Sequence, residues 1–371
     1  MNSVENANAT VAVAMSGGVD SSVAAALLVE RGFNVIGLTM RLFCYSETQQ
    51  SPKSCCNTQA IADARSVCEQ LGVPHYVIDC EQEFERDVIS RFVASYLAGQ
   101  TPNPCVDCNS FIKFDFLLRK AVSLGADYLA TGHYVRLGER GGDACLLRGV
   151  DSRKDQSYFL WGIARGALDK LLFPLGDYSK PDVRELAGKY AMAAREKAES
   201  QEICFVENDS VEQFIRSYTE SRESGERIPE STKSGTVFDT EGREVGRHRG
   251  SAFYTIGQRK GLGVALGRPV YVTRIDTERN VIVVGDGQEL NSGWLTAGEV
   301  NILADIPKDR FRCYIQIRYN HRPVMAEVVW TGSKAVRIEM EQPQRSVTKG
   351  QSVVFYDGEL VLGGAVISDC G

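Results

Sequence analysis

The sequence predicts an α/β N-terminal domain with a parallel sheet, followed by a small central domain and a C-terminal β-barrel-like domain. Three observations carry this prediction. Short apolar runs alternate with helical stretches over residues 11–98, and a turn rich in glycine and serine joins the first strand to the first helix. After about residue 218 the helical signal fades, and closely spaced β-rich runs replace it. A chain of 371 residues also exceeds the ~250–300 residues at which a single core usually stops growing, so two or three domains are expected.

VAVAM (11–15) reads as a short buried strand, and Asp20 to Arg31 has the Ala, Leu and Val content of a buried helix. NVIGLTM (34–40) follows as a second strand, then a helical stretch near 57–71, the strand HYVIDC (75–80) and a helix near 81–98. This βαβαβα alternation implies a largely parallel sheet covered by helices. DYLATGHYV (127–135) reads as a later strand ending in a functional loop, and SRESGERIPESTKSG (221–235) as a polar, glycine-punctuated connection. Beyond it, RPVYVTRI (268–275), NVIVVG (280–285), FRCYIQIRY (311–319), AEVVWT (326–331) and SVVFYDGELVLGGAVI (352–367) are β-rich runs separated by turns, as in antiparallel sheets or a small barrel. The expected division is 1–218, 219–290 and 291–371.

A hydrophobic content of 43% describes a globular chain with a substantial core. No apolar run approaches the ~20 residues that span a bilayer, and MNSVENANAT lacks the basic start and apolar stretch of a secretory leader, so the expected location is cytoplasmic, away from membranes. Eleven cysteines, an odd number in a long chain, do not suggest an extracellular disulfide framework, which leaves some of them for chemistry. The net charge of −6 argues weakly against a nucleic-acid partner, although a whole-chain sum can hide a basic face.

AMSGGVDSS (14–22) lies where an anion-binding turn belongs, between the first strand and the first helix. Gly17 and Gly18 let the backbone approach a ligand, while Ser16, Ser21, Ser22 and the helix N-terminal amides can donate to phosphate oxygens. Asp20 suits phosphate only through a bridging Mg²⁺. The turn has neither the lysine of GxxxxGK[ST] nor the spacing of GxGxxG, which disfavours the NTPase and dinucleotide folds that use them. The plain alternative is a tight strand-to-helix turn capped by Ser16 or Asp20. SGGVDS resembles the pyrophosphate loop of the ATP pyrophosphatase group, whose members adenylate a carbonyl oxygen. That resemblance implies nucleotide contacts at Ala14, Met15, Ser16, Gly17, Gly18, Val19, Asp20 and Ser21. Met40, in GLTMRLF, fits the adenine-side strand of such a fold or is simply core.

PNPCVDCNSFIKF places Cys105 and Cys108 at the separation of a metal knuckle or a redox pair. A structural zinc site would need further ligands from Cys55 and Cys56, or from Cys204, and buried structural thiols are another reading. Cys204 stands alone in the polar stretch AESQEICFVEN. Two separated thiols that meet over an ATP site suggest sulfur transfer through a persulfide and a mixed disulfide.

SGGVDS, NPCVDCNSFIKF, ATGHY, KDQSYFLW, SQEICF, HRGSAFYTIGQRKGLG and the final β-rich region together resemble the tRNA-specific 2-thiouridylase family along nearly the whole chain. Its members use ATP to replace O2 of the wobble uridine with sulfur. The resemblance implies Cys108 as nucleophile, Cys204 as persulfide carrier, Gly132 as an ATP contact and His133 as a tRNA-proximal residue. It implies ATP and Mg²⁺ as cofactors, lysine, glutamate and glutamine tRNAs as substrates, and a cysteine desulfurase or sulfur-relay protein as donor. Some relatives carry Asp in place of Cys105. An alternative route has Cys105, Cys108 and Cys204 hold three irons of a [4Fe-4S] cluster, with sulfide on the fourth.

By the same resemblance, Asn103, Pro104 and Cys105 lie beside the target base, which must leave the anticodon-loop stack to react. Lys154, Asp155 and Gln156 match a tRNA-contacting segment, with Asp155 alternatively a helix cap. Arg318, Tyr319 and Gln351 match positions that approach tRNA. YTIGQRKGLG (254–263) is a glycine-rich basic loop suited to RNA backbone or to solvent. IPKDRFRCYIQIRYNHRP (306–323) sets five Lys or Arg against one Asp, for a local charge of +4, and alternation would put Arg310, Arg312 and Arg318 on one sheet face. His75 reads as a packing or capping residue, whereas His248 and His321 fall in basic, RNA-facing segments. The rival functions are another ATP-pyrophosphatase ligase, a sulfurtransferase for a different RNA position, and a non-enzymatic RNA-binding module with metal-bound thiols.

Overall fold

A computed structural model describes residues 8–42, 58–192, 203–206, 210–221 and 229–371. Cys55 and Cys56, as well as residues 222–228 of the connection read between 221 and 235, lie outside the described residues.

The first layer forms as the alternation requires. Strands β1 (Thr10–Ala14), β2 (Asn34–Arg41) and β3 (His75–Asp79) are separated by helices α1 (Val19–Glu30) and α2 (Thr58–Leu71). The connection from β3 runs through α3 (Glu81–Phe84), a π-helical turn at Glu85–Ile89 and α4 (Ser90–Leu97). A second long helical rod starts at α5 (Pro104–Asp107), passes through a π-helical stretch at Cys108–Leu117 and ends at α6 (Leu118–Ser123). It leads into β4 (Tyr128–Ala130). The hairpin β5 (Val135–Arg140) and β6 (Asp143–Arg148) precedes β7 (Leu171–Leu172), α7 (Lys180–Lys189) and α8 (Val211–Ser221).

The first sheet has the order β3-β2-β1-β4-β7, and every pairing in it is parallel. Alternation along β1 serves two cores. Val11 and Val13 point toward α1 and α2, while Ala12 joins the core that holds Ile112, Phe114 and Leu117 of the π-helical stretch. Helix α1 buries nine of its twelve residues, so it is apolar around most of its circumference. The carboxyl ends of β1, β2 and β4 therefore open where the phosphate loop turns.

The central region is a four-stranded sheet in which β8 (Gly235–Asp239) and β9 (Glu244–His248) join β10 (Tyr271–Asp276) and β11 (Val281–Gly285) in the order β10-β11-β8-β9. The last region comprises β12 (Asn291–Ile302), β13 (Arg310–Gln316), β14 (Val324–Gly332), β15 (Ala335–Arg345), β16 (Ser352–Asp357) and β17 (Leu360–Cys370). These pair as β12-β15-β14-β13-β16-β17, and β12 pairs again with β17, closing a barrel and removing its edges.

The β5–β6 hairpin, which the sequence pattern did not reveal, extends the barrel sheet through the Leu360–Leu147 pairing. Arg148 at its end supports a buried polar network. Its guanidinium donates to Asp155 Oδ2 at 2.9 Å and to Gln316 Oε1 at 3.2 Å, and it lies 3.5 Å from the centre of the Tyr356 ring. The barrel also docks against the chain leading into α5. Gln351 Nε2 donates to Thr101 O at 2.8 Å, Thr101 N donates to Lys349 O at 2.9 Å, and Tyr158 OH donates to Ser352 O at 3.0 Å. Gly350 permits this approach: its φ is +88°, and a Cβ there would lie 3.0 Å from Thr101 N.

The basic face expected at 306–323 forms only in part. Arg310 and Arg312 do share the exposed face of β13, but they pair with Glu327 on the adjacent β14 and Glu341 on β15, one strand further. Arg318 lies beyond the strand end. His248 corrects the RNA-facing expectation. It is 2% exposed, Gly250 N donates to its Nδ1 at 3.1 Å, and its Nε2 bonds Asn280 O at 2.9 Å, so it faces the interior of the central sheet.

Asp155 is buried, so deleting its charged partner leaves a carboxylate that its other hydrogen bonds only partly compensate. Arg148→Met is expected to lower stability by about 3 kcal/mol in urea unfolding.

Candidate functional site

The phosphate loop is shaped by contacts that only small residues allow. Gly17 has φ +68°, and a Cβ there would sit 2.5 Å from the Ala60 carbonyl oxygen of α2. Gly132, from the loop after β4, presses on the other side, where a Cβ would sit 2.8 Å from Ser21 N. Within the turn, Ser16 N donates to Ser21 Oγ at 3.2 Å, and Ser22 Oγ donates to Gly18 O at 2.8 Å. Gly18 is the N-cap of α1 and makes no side-chain cap, so the helix N-terminal amides face the loop. Ala14, Met15 and Val19 flank the turn, with Met15 and Val19 buried. Met40, the residue before the last of β2, is 9% exposed and lies within the core.

Asp20 meets two groups that local sequence reading missed. Lys180 Nζ donates to Asp20 Oδ1 at 2.7 Å and to Oδ2 at 2.8 Å, and Tyr134 OH donates to Oδ1 at 2.7 Å. Lys180 is 5% exposed, and a buried ammonium is tolerable only beside such a partner. Only the SKPD capping pattern of α7, with Ser179 as N-cap, could have marked the start of the helix that carries Lys180. Beyond its bonds to Lys180 and Tyr134, Asp20 keeps one acceptor site on Oδ2, so with the loop amides it fits a nucleoside triphosphate whose Mg²⁺ takes a single carboxylate oxygen beside the phosphates.

The thiol segment starts where Pro104 opens α5 at the first helical turn, the position that best accepts proline. Cys105 is exposed and Cys108 half-buried, and Cys108 is the first residue of the π-helical stretch, a geometry that recurs at functional sites. Cys204 is half-buried in residues 203–206, where Phe205 packs 5.6 Å from Phe84, 5.1 Å from Phe92 and 5.2 Å from Phe214. Cys108 and Cys204 thus border the same core, which also holds Met40 and Leu42 at the carboxyl end of β2. Among the described residues, no three His, Cys, Asp or Glu side chains gather as a metal group, so Cys105, Cys108 and Cys204 do not fit a cluster as arranged. Burial pushes the nearby Cys80 thiol up to about 12, which makes it a poor nucleophile.

His133 packs between Phe114 and Phe173, with ring centres 5.7 Å and 6.4 Å away, and shares a 2.7 Å hydrogen bond with Thr131 Oγ1. Burial first, and Lys113 second, hold its pKa well below the ordinary value, so its imidazole is neutral at pH 7. Asp155 faces inward, accepting from Arg148, Gly149 N, Ser157 N and Ser157 Oγ; the bond to Ser157 N makes an Asx turn, while Gln156 holds the N-cap position of the short helical turn that follows. Lys154 is half-buried. Gln156 Oε1 accepts from Tyr134 N at 2.9 Å. The Tyr319 ring packs at a tilt 4.6 Å from that of Phe159, Arg318 is exposed and donates to Arg345 O, and Gln351 turns toward Thr101 and Pro102. Asn103 lines a cleft of about 470 Å³ with Arg91, Asp107, Phe111, Trp161 and Glu299.

A family model described as "tRNA methyl transferase HUP domain" matches residues 9–208. A "tRNA methyl transferase PRC-barrel domain" matches 225–286, and an "Aminomethyltransferase beta-barrel domain" matches 292–367. A protein of Carboxydothermus hydrogenoformans, "tRNA-specific 2-thiouridylase MnmA", is 47% identical over 96% of this chain and 97% of its own length. Proteins of the same name from Geobacter metallireducens and Moorella thermoacetica are 45% and 47% identical over 98% and 96% of this chain, each covered over 98% of its length. Among solved structures, the U34-tRNA thiolase NcsA from Methanococcus maripaludis overlays 60% of this chain and 67% of its own, at 19% identity and a TM-score of 0.35, which is too slight to bear on the site.

Burial pushes the Asp107 carboxyl up to about 6, against the opposing pull of Arg91 at 3.6 Å. The folded protein therefore keeps a proton that the unfolded chain releases between about pH 4 and pH 6, and stability falls as pH rises through that window. Asp107→Asn should flatten the slope. Relative to wild type, the variant gains about 2 kcal/mol at pH 7 over its value at pH 4, read from urea unfolding at the two pH values.

Proposed function

The chain belongs to the tRNA-specific 2-thiouridylase family. From that premise we propose that it performs ATP-dependent 2-thiolation of the wobble uridine of tRNA, with Cys204 carrying the sulfur and Cys108 resolving it. The observation that carries this reading is the pairing of a pyrophosphate-type loop with Cys108 and Cys204 on one core at the carboxyl end of the parallel sheet. Thiols and phosphate loop together favour sulfur transfer over the methyl transfer named in the matching model descriptions.

The chemistry follows from the groups present. Uridine O2 attacks the α-phosphate of ATP, pyrophosphate departs, and the oxygen becomes part of a good leaving group. The loop amides and Lys180 stabilise the charge that develops on the phosphates. Mg²⁺, held by Asp20, would add charge neutralisation there. The terminal sulfur of the Cys204 persulfide attacks C2 and AMP leaves, which gives a disulfide between Cys204 and the base. The Cys108 thiolate then attacks Cys204 Sγ, forming a Cys108–Cys204 disulfide and leaving 2-thiouridine, and an external reductant restores both thiols. A neutral His133 between two aromatic rings offers a hydrogen bond near the loop without a competing charge.

In this reading residues 1–218 form the catalytic unit, 219–290 a small central domain, and 291–371 the barrel that helps grip RNA. Asn103, Pro104 and Cys105 lie beside the target base, while Lys154, Gln156, Arg318, Tyr319 and Gln351 contact tRNA and the buried Asp155 holds their segment in place. The substrates are the lysine, glutamate and glutamine tRNAs, and a cysteine desulfurase or relay protein supplies the persulfide sulfur.

The test is nucleoside mass spectrometry of unmodified glutamate tRNA after anaerobic incubation with the protein, ATP, Mg²⁺ and polysulfide, with and without iron. ATP-dependent 2-thiouridine at the wobble position, formed without iron and absent in Cys108→Ser and Cys204→Ser, is the expected result. Lys180→Met should slow AMP formation by roughly a hundredfold. Iron-dependent product would move the sulfur to a cluster, and thiolation surviving in Cys204→Ser would remove the persulfide assignment.

A further inference from the structure

Residues 149–157 reach Asp20 by two routes. On the first, the Asp151 carboxylate, 9% exposed, accepts from Arg153 N through Oδ1 at 3.0 Å and from Lys180 N through Oδ2 at 3.1 Å. Lys180 is the first residue of α7, so this bond holds the helical turn whose side chain grips Asp20. A buried carboxylate at that position also receives one of the amides that a helix start leaves unpaired. On the second route, Gln156 clasps the Tyr134 main chain twice, Oε1 accepting from Tyr134 N at 2.9 Å and Gln156 N donating to Tyr134 O at 3.1 Å. The Tyr134 hydroxyl then reaches Asp20 at 2.7 Å.

Neither route has slack. A Cβ on Gly149 would lie 2.5 Å from Tyr134 O, and one on Gly176 would lie 2.0 Å from Val135 O. Val150 N donates to Gly176 O at 3.0 Å, and Lys180 Nζ lies 5.6 Å from the centre of the Tyr134 ring. A small displacement of this segment therefore moves the main chain of both residues that hold Asp20.

We infer that Asp151 is a positioning residue for nucleotide activation, and that the segment Asp151–Gln156 couples tRNA engagement to the phosphate loop. The coupling rests on the reading that Lys154 and Gln156 contact tRNA. Asp151 touches neither substrate; it acts through Lys180. When RNA settles on the segment, Lys180 and Tyr134 are held at Asp20 in the geometry that ATP requires, so ATP binds a preorganised loop. Thermodynamic linkage makes the effect reciprocal: ATP must tighten tRNA by the same factor.

Titration calorimetry with the full chain, Mg²⁺ and α,β-methylene-ATP, with and without saturating unmodified tRNA, tests this. In the wild type, tRNA is expected to tighten the analogue by about fivefold or more, and the analogue should tighten tRNA equally. Asp151→Asn should weaken the analogue in tRNA-free protein and bring the coupling factor close to one, while tRNA affinity without nucleotide stays unchanged. A fold defect would instead lower tRNA affinity and the melting temperature together. If Asp151→Asn is destabilised, Tyr134→Phe, which removes only the hydroxyl on Asp20, reads the second route. Wild-type coupling retained in either folded variant, or no coupling in the wild type, overturns the proposal. Lys154→Ala separates the underlying reading. Unchanged tRNA binding there would sink the RNA contact and the coupling, while the tRNA-free affinity of Asp151→Asn would still decide whether Asp151 positions Lys180.

Discussion

Lys180 and Asp20 are separated by 160 positions in the chain, and the ion pair between them organises the nucleotide end of this molecule. An ammonium buried to this degree is costly unless its charge is met, so α7 cannot settle elsewhere without leaving Lys180 uncompensated. The pair therefore fixes α7 against the start of α1. The same constraint explains the company around it. Tyr134 completes the hydrogen bonding of the carboxylate, Gly132 leaves room for the loop to close, and Asp151 anchors the main chain of Lys180.

The thiol helix is held from its other side. Pro104 opens it, the barrel loop around Gly350 and Gln351 receives the chain just before it, and Asn109 Nδ2 donates to Phe159 O at 3.1 Å one residue beyond Cys108. The π-helical hydrogen bonding that begins at Cys108 widens the helix where this thiol sits. The barrel thus orients catalytic-domain backbone as well as offering a surface. The β5–β6 hairpin, with Arg148 laid on Tyr356, ties the two regions together through the same residues that bracket the loop from Asp151 to Gln156.

Much of this was legible locally. The alternation of strand and helix periods, the Gly-Gly-Val-Asp turn after a buried strand, and the polar context of Cys108 and Cys204 are short-range patterns. The structure finds the phosphate loop at its expected place, and both thiols on one core. Lys180, Tyr134 and Asp151 were not legible, because each matters through a partner that is remote in sequence. Asp155 and His248 show the converse. A polar residue in a basic or RNA-like segment looks exposed until its hydrogen bonds are counted, and both turn inward to satisfy buried amides or carbonyls. Arg310 and Arg312 were visible as charges, but the glutamates on β14 and β15 that pair with them depend on sheet register.

By itself the sequence determined the chemistry available to this protein: a glycine-serine turn able to cradle phosphate, and two thiols able to pass sulfur. Those properties belong to residue types and short spacings, which do not change with the fold. Tertiary structure alone decided which charges are met, which imidazole is neutral, and which buried carboxylate steers a lysine. Such outcomes depend on desolvation and on contacts between distant positions, and these exist only once the layers have packed.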